Sequence, residues 1–242
     1  GDTGAMIYYG NIIEETNIPQ NIQIAFSYYK MAADKGDLDG MRNTGMFYRL
    51  GRGVPQNLQL AAFYLKSAAD RGDKISACLY GEMLQFGTGV QLDKITATHY
   101  YKIAADQGDY DACFMYGVKC LTGEGCPQDK NAALHYAATG ACDTQNPNLK
   151  CCYLYANLLN ESSDIISKEK AFYFYEKASN DGKGVKEAMF KAGEMLENGI
   201  GCKQDYIEAA FYFNKAADQG HVESMFKYAL ICLFGKGEMP ID

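Results

Sequence analysis

No Cys-x-x-Cys stands in these 242 residues, although there are nine cysteines, and the three histidines, His99, His135 and His221, are scattered. A zinc site needs paired thiolates or imidazoles at short spacing, so no metal ligand is expected. Excess basic charge is missing too. Lys and Arg number 23 against 30 Asp and Glu, a net charge of −7, which argues against nucleic-acid binding through a basic surface. The longest apolar run, Tyr228 to Phe234, is far below the ~20 residues of a membrane helix, so no membrane insertion is expected. Neither a secretory signal nor a transit-peptide pattern is visible. A dinucleotide fingerprint and a Gly-Lys-Ser/Thr phosphate loop are both absent. No Ser/His/Asp or Cys/His set can be assembled from spacing. No catalytic residue and no cofactor is therefore assigned, and the chain reads as a non-enzyme.

A phrase does recur. Ala32-Ala33-Asp34, Ala68-Ala69-Asp70 and Ala104-Ala105-Asp106 are each followed two residues later by a glycine, Gly36, Gly72 and Gly108, at intervals of 36 residues. It returns at Ala216-Ala217-Asp218 with Gly220. Self-similarity at this period marks a solenoid, in which each unit buries its apolar face only by stacking on its neighbours. Each unit reads as two helices. Asp37, Asp73 and Asp109 suit N-caps, and the glycines before them suit left-handed helix ends. A Gly-x-Gly connector lies between the two helices: Gly51/Gly53, Gly87/Gly89, Gly123/Gly125, Gly199/Gly201 and Gly235/Gly237.

Superposed units give columns. One is small: Ala5, Gly40, Ser76, Ala112, Cys151, Ala188, Ser224. Four residues on is a mostly aromatic column: Tyr9, Thr44, Tyr80, Tyr116, Tyr155, Ala192, Tyr228. Next comes Gly10, Gly45, Gly81, Gly117, Ala156, Gly193, Ala229. Glycine inside a helix costs about 1 kcal/mol against alanine, so its recurrence predicts close approach of a neighbouring helix. The second helices carry the pairs Tyr28-Tyr29, Tyr100-Tyr101 and Tyr212-Phe213, expected to fill the space between repeats.

Ala-x-x-x-Tyr-Gly, then Gly-x-Gly-[Val/Cys], then Ala-x-x-Tyr-[Tyr/Leu]-x-x-Ala-Ala-Asp-x-Gly resembles the Sel-1-like repeat, a relative of the tetratricopeptide repeat. The resemblance covers essentially the whole chain. It implies an all-α fold, a right-handed α-α superhelix of about thirteen helices. Residues 1–242 read as one repeat domain of six full units, starting near residues 1, 36, 72, 108, 146 and 182, plus a half unit from 220. The first and fifth units lack Gly-x-Gly, with Glu15-Thr16-Asn17-Ile18 and Glu161-Ser162-Ser163-Asp164 in its place. Residues 140–150, with Asn146 and Pro147, replace the regular junction, and a kink is expected there. The chain starts at a repeat boundary without methionine and stops inside a connector. A fragment of a longer protein is expected, or an uncapped last helix that self-associates.

The cysteines fall in core columns. Cys126 and Cys202 sit where Val54 and Val90 do, Cys113 and Cys152 share the column of Met6, Met41, Met189 and Met225, and Cys120 and Cys232 that of Leu84, Leu159 and Leu196. Free, mostly buried thiols in a reducing compartment follow, which places the protein in the cytoplasm. One branch of the family is secreted and cysteine-rich, with a disulfide in every repeat and an association with penicillin binding. The required pair is absent: Cys113 matches its first position, but Ala141 holds the second and Cys142 is one residue off.

The resemblance also implies that first helices line a concave side. Away from the core columns they carry Asn43, Met46 and Leu50, then Leu79, Glu82 and Phe86, then Met115, Val118 and Thr122, and in unit six the polar Lys191, Glu194 and Asn198. Either the apolar row is a groove for a protein or peptide, or superhelical twist buries its outer positions between repeats. The family implies a non-catalytic adaptor for protein–protein interaction. The alternative is a regulatory repeat region of a larger enzyme, such as a kinase fusion.

Overall fold

Thirteen α-helices follow one another in the computed structural model, which describes residues 2–16, 18–143, 145–180 and 184–234. Among the described residues there is no strand, so the expected all-α fold and helix number are both observed. Gly1, Asn17, Gly182 and the Gly235/Gly237 connector lie outside them. The chain forms two compact units. Gly1–Asp129 holds α1 (Thr3–Glu15), α2 (Pro19–Asp34), α3 (Leu38–Leu50), α4 (Leu58–Ala69), α5 (Lys74–Phe86), α6 (Lys94–Asp106) and α7 (Tyr110–Thr122). Lys130–Asp242 holds α8 (Lys130–Ala141), α9 (Leu149–Asn160), α10 (Ile165–Ala178), α11 (Lys186–Asn198), α12 (Tyr206–Asp218) and α13 (Val222–Leu233).

The recurring phrase is a helix stop fused to a helix start. Gly36, at φ +82°, donates its N–H to the Ala33 carbonyl (2.8 Å), and Asp37 donates to that of Ala32 (3.0 Å). These two bonds close the last turn of α2, and the left-handed residue costs least as glycine. The Asp37 carboxylate then accepts from the Gly40 N–H (2.9 Å), satisfying a free donor of α3. Asp73 and Asp109 do the same for α5 and α7. The alanine pair has a tertiary purpose as well. A Cβ on Gly40 would lie 2.6 Å from Ala33 N and 2.7 Å from Ala32 Cβ, so the small column rests on the alanines of the preceding repeat.

In the Gly-x-Gly connectors, Gly51 ends α3 at φ +66°, and Gly53, at φ +68°, packs on the start of α2, where a Cβ would meet Ile22 Cγ2 at 2.8 Å. Gly89 approaches Leu58, Gly125 approaches Lys94, and Gly201 approaches Lys168 in the same way. The second glycine is thus where a connector touches the second helix of the repeat before it. The polar stretch that follows caps both ends. Gln56, Gln128 and Gln204 donate side-chain N–H groups to the carbonyls of Arg49, Leu121 and Glu197, at 2.8, 2.6 and 2.8 Å. Asn57, Asp93 and Asp205 cap α4, α6 and α12.

Three of the helical glycines meet rings of the second helix in their own repeat, and Gly45 meets Leu65 instead. A Cβ on Gly10 would lie 2.5 Å from Tyr29, on Gly81 3.1 Å from Tyr101, and on Gly193 2.7 Å from Phe213. Those rings are almost fully buried, each a stabilising burial of about 1.5–3 kcal/mol. This corrects the expectation that both aromatic residues fill the space between repeats. The second of each pair plugs the gap within a repeat. The first reaches the preceding repeat in two units, where the Tyr100 hydroxyl donates to Asp70 at the end of α4 (2.6 Å) and that of Tyr212 to Glu176 on α10 (3.3 Å), while Tyr29 also packs edge-on against Phe47 of the next repeat, 5.4 Å between centroids.

Candidate partner-binding face

Six of the nine residues expected to face a partner, Asn43, Met46, Leu79, Glu82, Met115 and Val118, are half-buried. The three at helix ends are open: Leu50 and Phe86 are each 61% exposed, and Thr122 is exposed. All nine lie in the first compact unit, on α3, α5 and α7. Arg49 ties two of these helices together, donating to Glu82 across 2.6 Å. The Thr122 hydroxyl bonds back to the Val118 carbonyl at 3.1 Å. In the second unit, Lys191 and Glu194 pair with each other at 2.8 Å, and Asn198 donates to the Glu194 carbonyl.

The charged framework around this face escaped sequence reasoning. Arg42 reaches Asp73 on the next repeat at 2.6 Å and also holds Asp39, while Arg52 reaches back to Glu14. Lys119, 3% exposed, bonds to Glu124, which also pairs with Lys94 at 2.5 Å. Hydrogen bonds from these two lysines hold the Glu124 carboxyl far below its usual range, at about 2. A buried lysine needs such a partner, and Glu124, the middle residue of a Gly-x-Gly connector, supplies it. A further set of exposed rings on the second helices of the repeats was also missed. Phe63 and His99 in the first unit, and His135, Tyr173 and Phe211 in the second, are exposed at one register, each edge-on to the following ring. Each stands two residues after the first buried alanine of its helix, a sequence signal that was available.

None of the nine cysteines is in a disulfide. Cys113, Cys120, Cys151 and Cys152 are buried, Cys78, Cys126, Cys202 and Cys232 are half-buried, and Cys142 is exposed. Burial pushes the thiols of Cys113, Cys120 and Cys152 up to about 11. Among the described residues no group of three or more His, Cys, Asp or Glu side chains is placed to hold a metal, and no helix is long and apolar enough to cross a membrane.

Helix pairs joined by left-handed glycine stops and stacked through small-residue columns define a helical-repeat protein. The chain belongs to the Sel1 repeat family: the family's sequence model matches residues 3–37, 38–73, 75–109, 111–142, 149–183, 186–221 and 222–242. Solved structures with this fold include c5321, a protective antigen of uropathogenic Escherichia coli strains displaying an SLR fold, at TM-score 0.86 and 24% identity over 100% of this chain and 51% of that one. A Sel1 repeat protein from Oxalobacter formigenes matches at TM-score 0.77 and 24% identity over 96% of this chain and 66% of that one. The chain therefore spans from about half to about two thirds of these proteins' lengths. No curated protein matches the sequence. Sel1 repeats generally mediate protein–protein interaction and are typically non-catalytic scaffolds.

Proposed function

We propose that this chain is a non-catalytic adaptor that holds a protein or peptide against the first helices of its first compact unit. The observation that carries the reading is the largely apolar character of two neighbouring registers on α3, α5 and α7. Met46 and Val118 are half-buried in one, on either side of Glu82, and Leu50 and Phe86 stand open in the other. Exposed apolar side chains in a row are characteristic of recognition surfaces, and half-buried ones cost little further ordering when covered. The free thiols support a reducing compartment as its place of action.

The test is affinity capture from the protein's own cell lysate, with bound proteins identified by mass spectrometry. Met46→Asp combined with Val118→Asp is expected to abolish capture, a loss of at least ~2 kcal/mol in binding, while helicity and melting stay nearly unchanged. A folded double variant that still captures the same partner would move the binding surface elsewhere. An unfolded one would assign both residues to the core.

A further inference from the structure

Three repeats carry a tyrosine in the position that plugs the helical glycine or alanine: Tyr29, Tyr101 and Tyr175. In the first repeat the Tyr29 hydroxyl lies 2.8 Å from Asn11 Oδ1 and 2.7 Å from Glu14 Oε2. In the fifth, the Tyr175 hydroxyl donates to Asn157 Oδ1 at 2.7 Å. Asn11 and Asn157 each directly follow the small residue of their column. The third repeat has Glu82 at that register and Gln85 in the place of Glu14. Yet Glu82 is turned outward onto Arg49, and neither Tyr101 Oη nor Gln85 Oε1, both buried, has a protein partner. Tyr101 is 1% exposed.

All four arginines of the chain, Arg42, Arg49, Arg52 and Arg71, fall between residues 42 and 71. Three of them bridge to an acid on an adjacent repeat. The acid on Arg49 is the most accessible: the Glu82 side chain is 42% exposed, against 26% for Glu14 and 11% for Asp73. Leu50 and Phe86 stand open next to this pair, one residue from Arg49 and one helical turn from Glu82.

We propose that Arg49 is the anion-receiving residue of this face, and that its occupant is an acidic peptide segment with a carboxylate beside an apolar side chain. The incoming carboxylate displaces Glu82 from Arg49, and Glu82 turns inward to accept the Tyr101 hydroxyl. Glu82 is the stand-in that shows which chemistry the guanidinium suits, since a planar fork of donors matches a carboxylate. One ion pair replaces another of the same kind, so the exchange is nearly even at Arg49. The gain is the hydrogen bond that the buried hydroxyl otherwise lacks. This rests on the reading of the face as a partner-binding surface and names the chemistry of that partner.

The experiment titrates the protein with acetyl-Leu-Glu-Leu-amide and with its Gln counterpart, following the Arg49 side-chain N–H by NMR. A saturable shift is expected with the acid and not with the amide, and it should vanish in Arg49→Gln. Tyr101→Phe, which removes a group the ligand never touches, is expected to weaken the acid about 3- to 10-fold while leaving the free protein as stable as before. Three results overturn the proposal: equal response to acid and amide, unchanged affinity in Tyr101→Phe, or a loss of free-protein stability in Tyr101→Phe equal to that of Tyr29→Phe. The last would show that the Tyr101 hydroxyl already has its partner. If Arg49→Gln captures the cellular partner as well as wild type while the Met46/Val118 double variant does not, the carboxylate site falls and the adaptor reading stands.

Discussion

Gly193→Ala sets two effects of similar size against each other. Alanine gains about 1 kcal/mol over glycine in a helix interior. The added Cβ, however, would lie 2.7, 2.9 and 3.0 Å from three ring carbons of Phe213. Carbon pairs rest at about 3.5–4.0 Å, so the ring must retreat by most of an ångström. Phe213 is fully buried and packs against Phe190 at 5.8 Å between centroids, which leaves little room. Overpacking of this kind costs about 1–3 kcal/mol, so the net expectation is a loss of about 1 kcal/mol. Gly81→Ala is the internal control. Its Cβ meets Tyr101 at 3.1 Å, a contact that a shift of a few tenths of an ångström relieves, so the helix gain should nearly cancel the cost. Gly81→Leu cannot be accommodated that way and should lose about 1–3 kcal/mol. Repeat arrays do not always unfold in one step, so native-state hydrogen exchange at the amides of α11 and α12 is the suitable assay. Stabilisation of Gly193→Ala by the full helix-propensity gain would refute the reasoning, because it would mean that no ring occupies the groove.

Thiol labelling of the native protein should show one fast site, Cys142, and four slow ones, Cys113, Cys120, Cys151 and Cys152, with all nine reacting only after denaturation. A marked fall in melting temperature on adding dithiothreitol would reveal a disulfide and contradict this. Tyr29→Phe and Tyr175→Phe should each destabilise their unit by about 1 kcal/mol, measured by urea unfolding, because each removes a hydroxyl that makes part-buried hydrogen bonds. Glu124, held at about 2, binds its proton more weakly folded than unfolded. Its contribution is therefore complete above the usual carboxylate value of about 4.3 and fades as the pH falls toward 2. Glu124→Gln should flatten the acid limb of the stability profile between these values, and an unchanged limb would show that Lys119 is held by something else.

Helix stops and starts were legible because they are local. The bonds made by Gly36, Asp37 and Gly40 join residues at most five apart, so Ala-Ala-Asp-x-Gly-Asp specifies them wherever it occurs. Recurrence of the phrase was enough for the repeat architecture, since half-apolar helix pairs of equal length bury their faces only by stacking. The helical glycines announced a close approach, but not what approaches. Whether Tyr29 or Tyr28 enters the gap depends on the rotation of α2 about its own axis, which packing sets. The same holds for the candidate face. Its residues were found by register, while the pairings of Arg49 with Glu82, 33 residues on, and of Lys94 with Glu124 on the next repeat were not. Those contacts depend on how far one helix pair is displaced and turned against the next. That offset follows from the combined shape of small columns, alanine pairs and rings. Periodicity in the chain therefore determined the elements and their order, and only tertiary packing decided which side chains meet across repeats and which remain without a partner.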